Sequence, residues 1–127
     1  MTSSHHAWSG ITIDCVDPVQ VGRFWGQLLG LTSTEPLPGW VRLGRVGGAA
    51  PVINFQPVPE VKVGKVRIHL DVRVDDIVLA SARVIELGGR SLDQRYEYDE
   101  GVVYTMADPE GNEFCLVQYF MPVAPGR

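Results

Sequence analysis

His69, Asp71 and Arg73 alternate with Leu70, Val72 and Val74, so one face of this stretch is ionisable and the other apolar. A histidine beside a carboxylate is a proton-transfer pair that titrates near neutrality, and the same pair can serve as metal ligands. Thr12 and Asp14 alternate with Ile11, Ile13 and Cys15 in the same manner, which makes Asp14 a second carboxylate for His69. His69, Asp14 and Asp71 are therefore the candidate catalytic groups. The plainer reading is a histidine paired to a carboxylate with no chemistry beyond that. Cys115 becomes a nucleophile or ligand only if a cation or imidazole lowers its pKa; otherwise it is a small buried residue. His69 and Cys115 are the residual metal candidates. Thr12, Trp40, Phe55, Arg73, Tyr104 and Cys115 are the candidate ligand-binding residues, because aromatic side chains and a few polar groups line small-molecule sites. Phe24 and Trp25 sit at helical spacing with Leu28, which favours a core role. No Ser-His-Asp order, CxxC or HExxH pattern occurs, and GRVGGAA at 44–50 lacks the Lys-Ser/Thr of a phosphate loop.

The elements that position these groups can be read from periodicity. Alternation predicts a strand over 10–16. Asp17-Pro18 then caps a helix whose stripe is Val21, Phe24, Trp25, Leu28 and Leu29, and Gly30 stops it. Short strands are expected at 31–35, 40–43 and 51–56, followed by a linker over 57–65. Lys62, Lys65 and Arg67 in and beside that linker either attract an anion or are simply solvated. The order then repeats: a strand over 66–74, a helix over 77–87 capped by Asp75-Asp76, and strands at 91–98, 102–107 and 113–119. Asp108 to Asn112 (DPEGN) is the turn between the last two. VDP at 16–18 lies over VDD at 74–76, LLGL at 28–31 over ELGG at 86–89, and VINFQ at 52–56 over FCLVQ at 114–118, at offsets of 58, 58 and 62. These matches fall in order, which indicates a duplication. The fold class is α+β, two tandem βαβββ modules forming curved mixed sheets around a cleft. The modules cover about 9–57 and 66–120 of a domain at 9–120, with a flexible N-terminus at 1–8 and a tail at 121–127.

Composition bounds the function. With 127 residues and 45% hydrophobic content, the chain can bury one core. A net charge of −4 argues against nucleic acid, and no run of 18 apolar residues suggests a membrane span. MTSSHHAWSG has no signal-peptide pattern, so a cytoplasmic location is expected, with Cys15 and Cys115 as free thiols.

DP before the first helix, FW and LLGL toward its end, HLDV opening the second half and DPEGNEFCLV near the end together resemble the vicinal oxygen chelate superfamily. That superfamily includes glyoxalase I, the bleomycin-resistance proteins and the extradiol dioxygenases, and the glyoxalase-like subgroup is the nearest in pattern. The resemblance covers about 9–120. It implies a divalent metal held from four strand positions. These fall on Gly10 (Ile11 at an offset of 58), Ile53, His69 and Cys115, and side-chain coordination is impossible at two of them. The resemblance therefore implies a small-molecule binding protein without the full family metal site. A divalent metal stays a secondary possibility, and the expected assembly is a homodimer. The alternative is a lyase or isomerase acting on a small carbonyl or enolisable substrate through a residual metal or His69. If the pocket descends from a metal site, Gly10→His with Ile53→Glu should raise divalent-ion affinity.

Overall fold

The computed structural model describes residues 5–122; the outer parts of the segments expected to be loose, 1–4 and 123–127, lie outside the described residues. The chain divides into two compact units, 1–61 and 62–127. The first holds β1 (Gly10–Cys15), α1 (Pro18–Leu29), β2 (Ser33–Thr34), β3 (Val41–Leu43) and β4 (Val52–Pro57). The second holds β5 (Asp71–Arg73), α2 (Ile77–Glu86), β6 (Arg90–Tyr98), β7 (Gly101–Ala107) and β8 (Glu113–Tyr119).

The strand orders, β1-β4-β3-β2 and β5-β8-β7-β6, are the same permutation. In each sheet the first strand runs parallel to the last and the other pairs are antiparallel. This is the duplication expected from the sequence, expressed as topology. The two helix caps fall in step at an offset of 59: Asp17 accepts a hydrogen bond from Gln20 N, and Asp76 accepts from Val78 N and Leu79 N. Pro18 sits in the first helical turn of α1, and Gly30 ends that helix in the left-handed conformation (φ 68°) that glycine adopts without strain.

In the first unit the core lies between α1 and its sheet. Val21, Phe24 and Trp25 are buried, and the two rings meet edge to face at 5.4 Å between centroids. Phe55 and Val41 close against Gly22, where any Cβ would come within 2.7 Å of Val41 Cγ1. In the second unit α2 buries only Ile77 and Val84, while Val78, Leu79 and Ile85 are exposed, so much of its apolar run is not core. Gln118 on β8 accepts a hydrogen bond from Ile77 N at 2.8 Å, which fixes Phe114, Leu116 and Gln118 on the helix side of that sheet.

The strand expected over 66–74 is reduced to Asp71–Arg73, and Ile68, which alternation places in phase with Leu70 and Val72, is 85% exposed. The register explains this. Asp71 pairs with Cys115, and β8 begins two residues earlier at Glu113, so residues before His69 have no partner strand on that side. Val66 N bonds instead to the Glu113 side chain at 3.1 Å. The turn before β8 is organised by buried Asp108, whose carboxylate accepts from Glu110 N, Asn112 N and Asn112 Nδ2. At the outer edge, β6 carries a bulge between Ser91 and Gln94, with Asp93 at φ 57° and its amide bonded to Ser91 Oγ.

Candidate functional site

The register of the second sheet assembles one cluster on the face away from α2. Cys115 lies between Asp71 on β5 and Thr105 on β7, and all three side chains share that face. His69 precedes β5 by two residues and reaches the same place. Its Nδ1 is 3.6 Å from Asp71 Oδ1 and 3.9 Å from Cys115 Sγ, and the three donor atoms all lie within 4.8 Å of one another. A separation of 3.6 Å is too long for a strong hydrogen bond. It is close to the spacing of about 3.4–3.6 Å between ligand atoms on a tetrahedral ion with zinc-type bond lengths.

The cluster is graded in exposure. Cys115 is 7% exposed, while the His69 and Asp71 side chains are 42% and 63% exposed. Burial pushes the Cys115 thiol up, Asp71 adds to that, and Thr105 and Lys65 oppose it without reversing it. As it stands, the thiol is a poor nucleophile. Nearby, the Tyr98 hydroxyl is also raised, first by loss of solvent and then by Tyr119, Glu100 and Asp71.

Glu113 at the head of β8 is a positioning group. Burial alone would raise its carboxyl. Hydrogen bonds from Val66 N and its own amide, together with Lys62 Nζ at 3.2 Å, outweigh burial and hold it below the ordinary glutamate range. A depressed folded-state pKa contributes stability that is complete above the unfolded value and is lost as pH falls through the folded value. Denaturant midpoints measured downward from neutral pH should therefore show a shallower acid limb for Glu113→Gln than for the wild type; identical slopes would contradict this.

The other candidates are placed as follows. Arg73 is exposed on β5, on the face shared with Asp71, beside a cavity of about 390 Å³ with Tyr119 and Phe120. Tyr104 lies on the helix side, and its hydroxyl accepts from Ser91 Oγ at 2.8 Å. In the first unit Thr12 and Asp14 are exposed on the face away from α1. Phe55 is fully buried under α1. Trp40 is half-buried, beside a cavity of about 520 Å³ shared with Gly22, Arg23 and Val41. Cys15 is core, and both cysteines are free thiols.

The register also revises the first-unit ligand positions. Ile53 pairs with Leu43 and shares the helix side with Phe55, so it does not correspond to Cys115. Asp71 pairs with Cys115 as Thr12 pairs with Asn54, which makes Asn54 the counterpart of Cys115 and Gly10 that of His69. Asn54 is already engaged: it accepts from Arg42 Nε at 2.7 Å and donates to Thr12 Oγ1 at 3.5 Å. At Gly10 any Cβ would lie 2.6 Å from Val52 O. Sequence reasoning passed over Arg42 and Asn54, although the alternation in VRL and VINFQ places both on the polar face.

Two βαβββ units of the same strand order are the architecture of the vicinal oxygen chelate class. The chain belongs to the glyoxalase-like domain family, whose sequence profile matches residues 10–117. No curated protein matches it. Among solved structures it is similar to a glyoxalase/bleomycin resistance protein/dioxygenase family enzyme from Burkholderia phytofirmans PsJN (TM-score 0.72, 17% identity, covering 90% of this chain and 100% of that one). It is similar to a glyoxalase/bleomycin resistance protein/dioxygenase from Nocardioides (0.68, 15%, 99% and 91%). It is also similar to TnmS3, an antibiotic binding protein from Streptomyces sp. CB03234 (0.66, 22%, 92% and 99%). Among the described residues, no helix is long and apolar enough to cross a membrane.

Proposed function

We propose that this protein binds a small organic molecule without the four-ligand metal centre that the superfamily's enzymes use. One observation carries the reading: of the family's metal positions, only His69 and Cys115 offer donors, while Gly10 has no room for a side chain and Asn54 is committed to Arg42 and Thr12. The fold shared with an antibiotic-binding protein supports the ligand class at the level of architecture. In this reading His69 and Asp71 are hydrogen-bonding groups on the open face, and Cys115, protonated, closes the floor beneath them. Two free thiols fit a reducing, cytoplasmic setting.

The compact His69–Asp71–Cys115 grouping favours a second reading. These three residues form the nitrogen, oxygen and sulfur donor set of a zinc-type site with an open position. An ion there would supply Lewis acidity toward a small carbonyl or enolisable substrate. The protein's part would be to hold Cys115 as thiolate and His69 neutral, and so to release protons on binding.

Elemental analysis of protein purified without chelator separates the two. The binder reading expects substoichiometric metal and an antibiotic panel, bleomycin included, yielding a thermal-shift hit that EDTA leaves unchanged. Stoichiometric zinc, nickel, iron or manganese that is lost in His69→Ala would overturn it in favour of the metal site.

A further inference from the structure

Arg42 and Arg45 border a cavity of about 700 Å³ in the first unit, within the usual range for small-molecule sites. Its other walls include Leu31, Val46, Thr32 and Thr34, and no carboxylate lines it. Neither guanidinium has a carboxylate in ion-pair reach among the described residues. Arg42 is half-buried, and its Nε is spent on Asn54 Oδ1 at 2.7 Å, which fixes one edge of the guanidinium and leaves the Nη groups to other acceptors. Thr34 pairs with Arg42 across β2 and β3, and Thr32 O holds Gly44 N at 3.3 Å, so the hydroxyl wall and the arginine wall are tied together. In a chain with a net charge of −4, this is a local concentration of positive charge.

We propose that this cavity binds the oxyanion head of a small organic acid, a carboxylate or a phosphate monoester, with a compact apolar body against Leu31 and Val46. Two full cationic charges face the ligand, whereas the α1 C-terminus ending at Gly30 contributes only about half a negative charge, so the balance favours an anion. An arginine held on one edge suits bidentate capture of a planar or tetrahedral oxyanion. The site uses none of the residues of the His69 cluster and stands whichever reading of that cluster holds.

The test is an amide-shift titration of the full chain with benzoate, phenyl phosphate and neutral benzamide. Benzoate or phenyl phosphate should perturb amides at 31–34 and 42–51, and the tighter of the two identifies the head group. Arg42→Gln should weaken binding by at least about tenfold, the scale of one charge-assisted hydrogen bond. Arg67→Gln, which removes the same charge in the other unit, should leave affinity unchanged. The proposal is overturned by equal binding of benzamide, by equal losses in the two variants, by shifts elsewhere, or by no saturation at tens of millimolar. Cross-checking with Arg45→Gln guards against misfolding of a single variant.

Discussion

Replacing Gly10 with histidine is expected to destabilise the protein by about 3 kcal/mol, the upper part of the range for overpacking, and to add no zinc affinity. The position matches His69 in topology, which makes it the natural place to restore a ligand. The backbone forbids it. A Cβ at residue 10 would sit 2.6 Å from Val52 O and 2.7 Å from Val52 Cγ2. The oxygen is main chain in the paired strand, and Val52 is itself buried, with its amide bonded to Ser9 O at 3.1 Å. Nothing flexible is available to move aside, so β1 must shift away from β4. Adding Ile53→Glu makes matters worse, because that half-buried side chain faces the helix side with Phe55 and would place a charge on an apolar face. Urea unfolding of Gly10→Ala and Gly10→His checks the steric argument. Both should fall by similar amounts, and zinc titration should show no gain over the wild type. A stable Gly10→His variant with tighter zinc binding would show that the strand has room after all.

Trp25→Ala should cost about 3–5 kcal/mol, a large share of the about 5–15 kcal/mol that holds a domain of this size together. Trp25 is 1% exposed, and Phe24 stands against it edge to face. Removing the indole leaves a cavity that the helix cannot collapse into, because Gly22 already brings α1 against Val41 and Phe55. The thermal midpoint should drop by about 10–20 °C, and Trp25→Phe should recover part of the loss. A drop of only a degree or two would mean that α1 contributes little to the core.

The architecture was legible because periodicity and punctuation agreed. Asp17-Pro18, Gly30 and the Phe24–Trp25 stripe mark α1 almost to the residue, and DPEGN marks the turn before β8. Two features escaped. The length of β5 depends on where its partner begins, which alternation within 66–74 does not contain. The counterpart of Cys115 depends on register, and a slip of one residue moves a side chain to the opposite face. Ile53 and Asn54 differ by that one step, and only the pairing of Thr12 with Asn54 separates them. The sheet faces themselves were partly readable: Thr12, Asp14, Asp71 and Arg73 are all exposed as the alternation implied, whereas Phe55 and Tyr104, chosen by residue type rather than by parity, fall on the helix sides.

The kink at Asp93 has a consequence for how the protein behaves when concentrated. β6 is nine residues long and ends its sheet, so a straight version would offer a neighbouring copy a ready rail of unpaired amides and carbonyls. The left-handed turn at Asp93 and the arginines and acids along the strand spoil that rail, discouraging open-ended stacking into fibres.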